Sequence, residues 1–249
     1  MLFRLCKHLA LTRSEASADH LRGFFAEFLE VHVFHALQNA CKDRSILYCE
    51  KTFGRTSARS SDIAVFDGDN AVFIDVNSKR FHVNDSVLSL DVQSIERDLD
   101  KMIVSKVKKI AQRAIDFRRG VLRYEGIDPE AVIRIFGLVV TPQGVPRFVG
   151  ITRKLDELLP ALPDGLDGWE YFDLGEVELL GDIFKGGLDL ASLITSKAAD
   201  EFGRPRSLAN FLYFRMPEHR TETRSRNEVL AAPWFQKVLV AANAWGLPS

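Results

Sequence analysis

The chain has 249 residues, 46% of them hydrophobic, enough to bury a sizeable core as one large domain or as a core with an appendage. Its 33 Lys and Arg balance 34 Asp and Glu to a formal charge of -1, so overall charge steers nothing and nucleic-acid contact must come from local basic patches. No apolar run approaches the roughly 18 to 20 residues of a bilayer span, and Cys6, Cys41 and Cys49 form neither a CxxC pair nor a zinc spacing, so a cytoplasmic, membrane-free protein is expected.

Met1 to Thr12 mixes Arg4, Lys7 and His8 into apolar positions and lacks the core of a signal peptide. From about Ser17, a plausible N-cap, to Ala40, apolar residues recur at helical spacing: Leu21, Phe24, Phe25, Phe28, Val31 and His35. Ile46 to Cys49 reads as a short strand, and Thr52 to Ser60 as a polar loop carrying Gly54, Arg55 and Arg59. Ile63 to Phe66 and Ala71 to Ile74 flank the turn signal Asp67-Gly68-Asp69-Asn70. They predict a β-hairpin, and its apolar arms place it inside a larger sheet. The stretch from Arg80 to Gln93 has no clear pattern.

A long helix is expected from about Ser94 to Arg119, striped with Ile95, Leu99, Met102, Ile103, Ile110, Ala114 and Phe117. Acids (Glu96, Asp98, Asp100) lie at its start, bases (Arg113, Arg118, Arg119) at its end, and Gly120 can stop it. Lys101, Lys106, Lys108, Lys109 and Arg113 give it a basic side, which the pattern assigns to solvent, with salt-sensitive contact to a phosphate chain as the functional alternative. Val132 to Thr141 predicts a strand, Arg147 to Thr152 a further short one, and Trp169 to Leu174 another. Short helical patterns then alternate with breaks at Gly186-Gly187, Pro205, Pro217 and Pro233. The expected division is a core over 1–159 and a mainly helical C-terminal part over 160–249.

Chemistry is concentrated at the hairpin. Asp62 begins one arm and Asp75 ends the other, and antiparallel pairing brings those positions to the same end of the sheet. Asp75 follows four apolar residues, and a carboxylate in such a strand is costly without a cation or donor beside it. Two carboxylates so placed can share a divalent cation, which neutralises a phosphate and activates water. The six histidines show no HExxH or other ligand spacing, and His32 and His35 read as packed residues. Neither a GxxxxGK[ST] loop nor a GxSxG elbow is present, which disfavours ATP-driven and acyl-transfer chemistry. The basic run His219, Arg220, Arg224, Arg226 reads as an exposed loop.

The run Ser61-Asp62-Ile63-Ala64-Val65-Phe66, a short turn, then Val72-Phe73-Ile74-Asp75-Val76-Asn77 resembles the PD-(D/E)XK nuclease signature. The resemblance spans about residues 17 to 141. It implies an α/β fold with a restriction-endonuclease-like core of helix, three strands, helix and strand. It also implies a Mg²⁺-dependent hydrolase of phosphodiester bonds in DNA, with Mn²⁺ as a substitute, in restriction, repair or phage defence. Asp62, Asp75 and the Val76 carbonyl would hold the metal. Glu27, in Gly23-Phe24-Phe25-Ala26-Glu27 on the preceding helix, would assist, with Glu30 as its competitor one turn on. The pattern's Lys position is occupied by Asn77, and Lys79 lies two residues further on the same side of an extended chain, about 6.6 Å away. Lys79 or Asn77 would orient water or stabilise charge on the phosphate, with Arg55 and Arg59 beside it on the nucleic acid. Asn77 also leaves a second expectation open, a catalytically inactive nuclease-fold subunit that binds nucleic acid or assembles with a second copy or a partner.

Overall fold

The computed structural model describes residues 15–41, 45–49, 52–53, 58–79, 91–142, 144–147, 149–185, 188–200 and 205–215. Helix α1 (Glu15–Ala40) leads to strand β1 (Ile46–Cys49), a small ribbon of β2 (Thr52–Phe53) and β3 (Ala58–Arg59), and the hairpin β4 (Ile63–Asp67) and β5 (Asn70–Val76). Helix α2 (Val92–Leu99), a π-helical turn (Asp100–Val104) and helix α3 (Ser105–Arg118) precede β6 (Arg134–Thr141). Helix α4 (Val149–Leu158), β7 (Gly168–Asp173), α5 (Leu174–Lys185), α6 (Leu190–Ala199) and α7 (Leu208–Arg215) follow. One five-stranded sheet runs β1-β4-β5-β6-β7, antiparallel through the hairpin and parallel from β5 onward. The architecture is α/β, and within the main sheet, leaving aside the small β2–β3 ribbon, the expected order of helix, three strands, helix and strand is found.

The hairpin turns where its sequence demands: Asp67 pairs with Asn70, leaving Gly68 and Asp69 as the loop, and Gly68 takes the positive φ of 58° that a tight turn needs. Both faces of the sheet are covered, which explains the apolar arms. Ala64, Phe66, Ala71 and Phe73 pack with α3 residues Val107, Ile110, Ala114 and Phe117. Ile63, Val65, Val72, Ile74 and Val76 face the other way, into a cluster with α1 (Val33, Leu37) and the helices after β7.

The α2–α3 segment departs from one unbroken α-helix. Asp91 caps α2, its carboxylate accepting from the Ser94 N–H at 2.8 Å. In the π-turn the Ser105 N–H reaches the Asp100 carbonyl, one residue further back than in an α-helix. Helix α3 ends as expected at Gly120, whose φ of 70° lets its N–H bond the Phe117 carbonyl and the Val121 N–H the Asp116 carbonyl.

Three expectations are corrected. Helix α1 already includes Glu15, so Ser17 lies within it rather than capping it, and its inner stripe is Leu29, Val33 and Leu37, while Phe24 and Val31 are about half exposed. Apolar residues lie on several sides of α1, and packing against α5 and the sheet selects which of them is buried. The region from Arg147 is not a strand, for α4 occupies Val149–Leu158. Its buried residues, Ile151 and Leu155, are four apart, a helical spacing.

The expected division at residue 160 precedes β7, which is hydrogen-bonded in register to β6 from Phe136↔Gly168 to Thr141↔Asp173. A buried charge network ties the following helices to that strand. Glu170 of β7 pairs with Lys197 of α6 at 2.9 Å and with Arg147 at 3.3 Å, and Arg147 also holds Glu176 of α5 at 2.9 Å. Burial raises the Glu170 carboxyl, but Lys197 and Arg147 outweigh it and hold the group below the ordinary carboxylate range. Glu176 and Asp173 cap α5 reciprocally, and Glu176 accepts the Leu208 N–H at the start of α7. No helix among the described residues is long and apolar enough to cross a membrane.

Candidate metal centre

The hairpin register sets the site. Ile63 pairs with Ile74, and one further step outward places Asp62 opposite Asp75. Side chains alternate along a strand, and Asp62 and Asp75 fall on the phase of Ala64, Phe66, Ala71 and Phe73, the face covered by α3. The two carboxylates therefore share one side of the sheet, at its end. Asp62 is anchored there, because its Oδ2 accepts the Val76 N–H at 2.7 Å.

Asp75 is 1% exposed, and among the described residues the cations that reach it, Lys106 and Arg113, come from α3. Arg113 donates to its Oδ1, and the Lys106 ammonium stands 3.6 Å from its Oδ2. Among the described residues, none hydrogen-bonds the buried Asp75 Oδ2. The Asp62 carboxyl is pushed up to about 6, first by burial and then by the negative charge of Asp75. The Val76 amide, Lys106 and Arg113 pull it down only in part. Around the same carboxylates lie Ser60 and Tyr124, whose phenol is raised to about 12, chiefly by burial.

These observations fit a divalent cation. Two carboxylates are crowded together here: one carries a buried oxygen that accepts no hydrogen bond from the described residues, and the other is held toward its neutral form although Lys106 and Arg113 stand nearby. Carboxylate and main-chain carbonyl oxygens suit a hard ion such as Mg²⁺ or Mn²⁺. The set is small: among the described residues, no three or more His, Cys, Asp or Glu stand close enough to hold a metal together. Glu27 is accordingly not gathered with Asp62 and Asp75. It is exposed on α1, the helix that covers the opposite face, and Glu30 lies half-buried on that same helix.

The other expected residues are distributed differently. The Asn77 side chain is 3% exposed, and its amide is spent on the π-turn, donating to the Lys101 carbonyl at 3.2 Å and the Met102 carbonyl at 2.8 Å. Its Oδ1 accepts the Lys79 N–H at 3.0 Å, while the Lys79 side chain is exposed. Val76 lies in the last position of β5, opposite Val140. Arg59 is exposed on β3, whereas Arg55, the His219 to Arg226 run and Met1 to Thr12 fall outside the described residues. His32 bonds Glu178 of α5 at 3.0 Å and His35 contacts Gln38 at 3.4 Å, so neither is placed to ligate at the hairpin.

Lys106 and Arg113, the cations that matter most here, were assigned to solvent by the helical pattern. Their signal was present in the spacing. Seven residues are close to two helical turns, so the pair shares one face, and that face also carries the buried Ile110 and Phe117.

No family model matches the chain, and no curated protein matches it. Among solved structures, it is similar to the small subunit of the heterodimeric restriction endonuclease R.BspD6I, at 9% identity over 80% of this chain and 88% of that one, with a TM-score of 0.36.

Proposed function

We propose that this chain is a metal-dependent nuclease that hydrolyses phosphodiester bonds in DNA. The observation that carries the reading is the pair Asp62 and Asp75, set opposite each other on one face, with the buried Asp75 Oδ2 accepting no hydrogen bond among the described residues. Asp62, Asp75 and the Val76 carbonyl would hold Mg²⁺ or Mn²⁺. When bound, that ion supplies charge neutralisation at the scissile phosphate and a more acidic water. The chain's own residues do the rest. The Val76 N–H orients Asp62. Arg113 fixes Asp75 from the helix side, leaving Oδ2 directed away from that bond. Lys79 and Arg59, both exposed, would contact the phosphate chain, and the sequence offers Arg55, outside the described residues, for the same role. With overall charge near zero, DNA affinity from such a local patch falls steeply with added salt.

Asp62→Asn keeps an oxygen to accept the Val76 N–H but removes the negative charge, which makes it the decisive variant. Cleavage of plasmid and oligonucleotide DNA in Mg²⁺ or Mn²⁺ is expected for the native chain, falling by about a hundredfold or more in Asp62→Asn and Asp75→Asn. Undiminished cleavage by both variants would exclude this site.

A second reading has its own support. Asn77 stands where a Lys is expected and its amide is occupied, and Arg113 already neutralises Asp75. Both features suit a catalytically inactive nuclease-fold subunit that binds DNA or joins a second copy or partner. DNA binding without cleavage in either metal, and no Mn²⁺ binding that depends on Asp62, would select it.

A further inference from the structure

We infer that Lys106 supplies the ammonium that acts on the scissile phosphate, and that Asn77 is the positioning residue that presents it; this rests on the nuclease reading above. Among the cations of the sequence expected near the site, Lys79 lies three residues beyond the end of β5 with its side chain exposed. Lys106 instead approaches from α3, with its ammonium 3.6 Å from the buried Asp75 Oδ2 and 21% of its side chain exposed. That distance is longer than a hydrogen bond, and no donor among the described residues hydrogen-bonds Asp75 Oδ2. The ammonium is thus close to the carboxylates without being locked to them, and it retains access to solvent, where a phosphate would arrive.

The placement depends on the turn before it. Lys106 is the second residue of α3, directly after the π-turn, which adds one residue and so rotates α3 by about 100° relative to α2. Asn77, two residues past Asp75, donates to the Lys101 and Met102 carbonyls inside that turn. One amide therefore joins the end of the metal-ligand strand to the helix that carries Lys106 and Arg113. The exchange of roles is physical: a short side chain braces the helix from the strand, and the helix sends a long one back toward the metal ligands.

Hydrolysis forms one P–O bond from water and breaks another. The water's proton leaves to solvent, and the departing oxygen gains one. Lys106 transfers no proton in this scheme; its charge stabilises the non-bridging phosphate oxygens as negative charge gathers on them.

The test uses the full chain with Mn²⁺ and a double-stranded oligonucleotide, comparing Lys106→Met, Lys106→Arg, Lys79→Met and Asp62→Asn. Lys106→Met is expected to lower kcat about a hundredfold with KM little changed, and to bind Mn²⁺ as tightly as the native chain or several-fold more tightly, since a competing cation is gone. Retained Mn²⁺ binding also shows that the site is folded. Lys106→Arg recovers part of kcat, and Lys79→Met, which removes a phosphate contact, raises KM while lowering kcat far less than Lys106→Met does. Asp62→Asn loses both cleavage and Mn²⁺ binding. If the native chain cleaves and Lys106→Met cleaves equally well, or if Lys79→Met is the variant that fails, the role of Lys106 is overturned while the nuclease reading stands. If the native chain binds Mn²⁺ or not but never cleaves, both fall together.

Discussion

Asp62 carries the pH sensitivity of the site. Its carboxyl is raised from 3.8 in a free side chain to about 6 by burial and by Asp75, so between those values the folded chain binds more protons than the unfolded one. The stabilising contribution is complete below the lower value and is lost as pH rises through the upper one. Without divalent metal, unfolding free energy should therefore decline from about pH 4 to pH 6, by roughly 2 to 3 kcal/mol at most. Asp62→Asn should flatten that decline in denaturant titrations read at several pH values. A cation that binds the ionised pair opposes the same loss, so Mn²⁺ should raise Tm more at pH 7 than at pH 5, where protons compete for Asp62. Equal stabilisation at both pH values would remove Asp62 from the metal site.

At the scale of elements, the face of the sheet beneath α3 rests on an aromatic cluster. Phe66, Phe73, Phe117 and Tyr124 lie within about 5 to 6 Å of one another, and Tyr48 joins from β1. Phe117 is fully buried on the helix that also carries Arg113 and Lys106. Phe117→Ala should cost about 3 to 5 kcal/mol in urea unfolding and displace the end of α3. Gly165 marks a second dependence. Its φ is 89°, and a Cβ there would meet Ile115 Cγ1 at 2.9 Å and the Ala111 carbonyl at 3.2 Å. Gly165→Ala should therefore lower stability by about 1 to 3 kcal/mol, because the approach of this loop to α3 leaves no room for a methyl group. A neutral outcome in the same unfolding assay would mean that the loop can move away from α3 at little cost.

For the whole molecule, β7 and the helices after it are packed into the same core as the hairpin. A chain cut after residue 159 loses the parallel partner of β6 and leaves Phe136, Leu138 and Val140 without the helices that cover them. It also strands Arg147 without Glu170 and Glu176. Breaking such a buried network by removing one side costs about 3 to 5 kcal/mol, before the lost apolar burial is added. The truncated chain should show no cooperative thermal transition and should bind a hydrophobic dye, whereas an independent core would melt cooperatively. Lys197→Met in the full chain tests the network more gently and should lower stability by about 3 to 5 kcal/mol, because it leaves Glu170 buried with Arg147 alone.

Local pattern was enough to locate the hairpin, its turn, the strands ending at Thr141 and near Asp173, and the end of α3 at Gly120, because alternation, turn residues and capping glycines act within a few residues of themselves. It also brought Asp62 and Asp75 to one end of the sheet, since two strands joined by a tight turn have only one register that keeps their apolar faces paired. Which side of α1 is buried, whether Arg147 serves a strand or a charge network, and which cations reach Asp75 were decided only in three dimensions. Those outcomes depend on residues far apart in the chain: Asn77 on a turn 24 residues later, Arg113 on an aspartate 38 residues earlier. A charge on a helix looks solvated in sequence until the opposing surface is known, and here that surface holds an aspartate that is almost wholly buried.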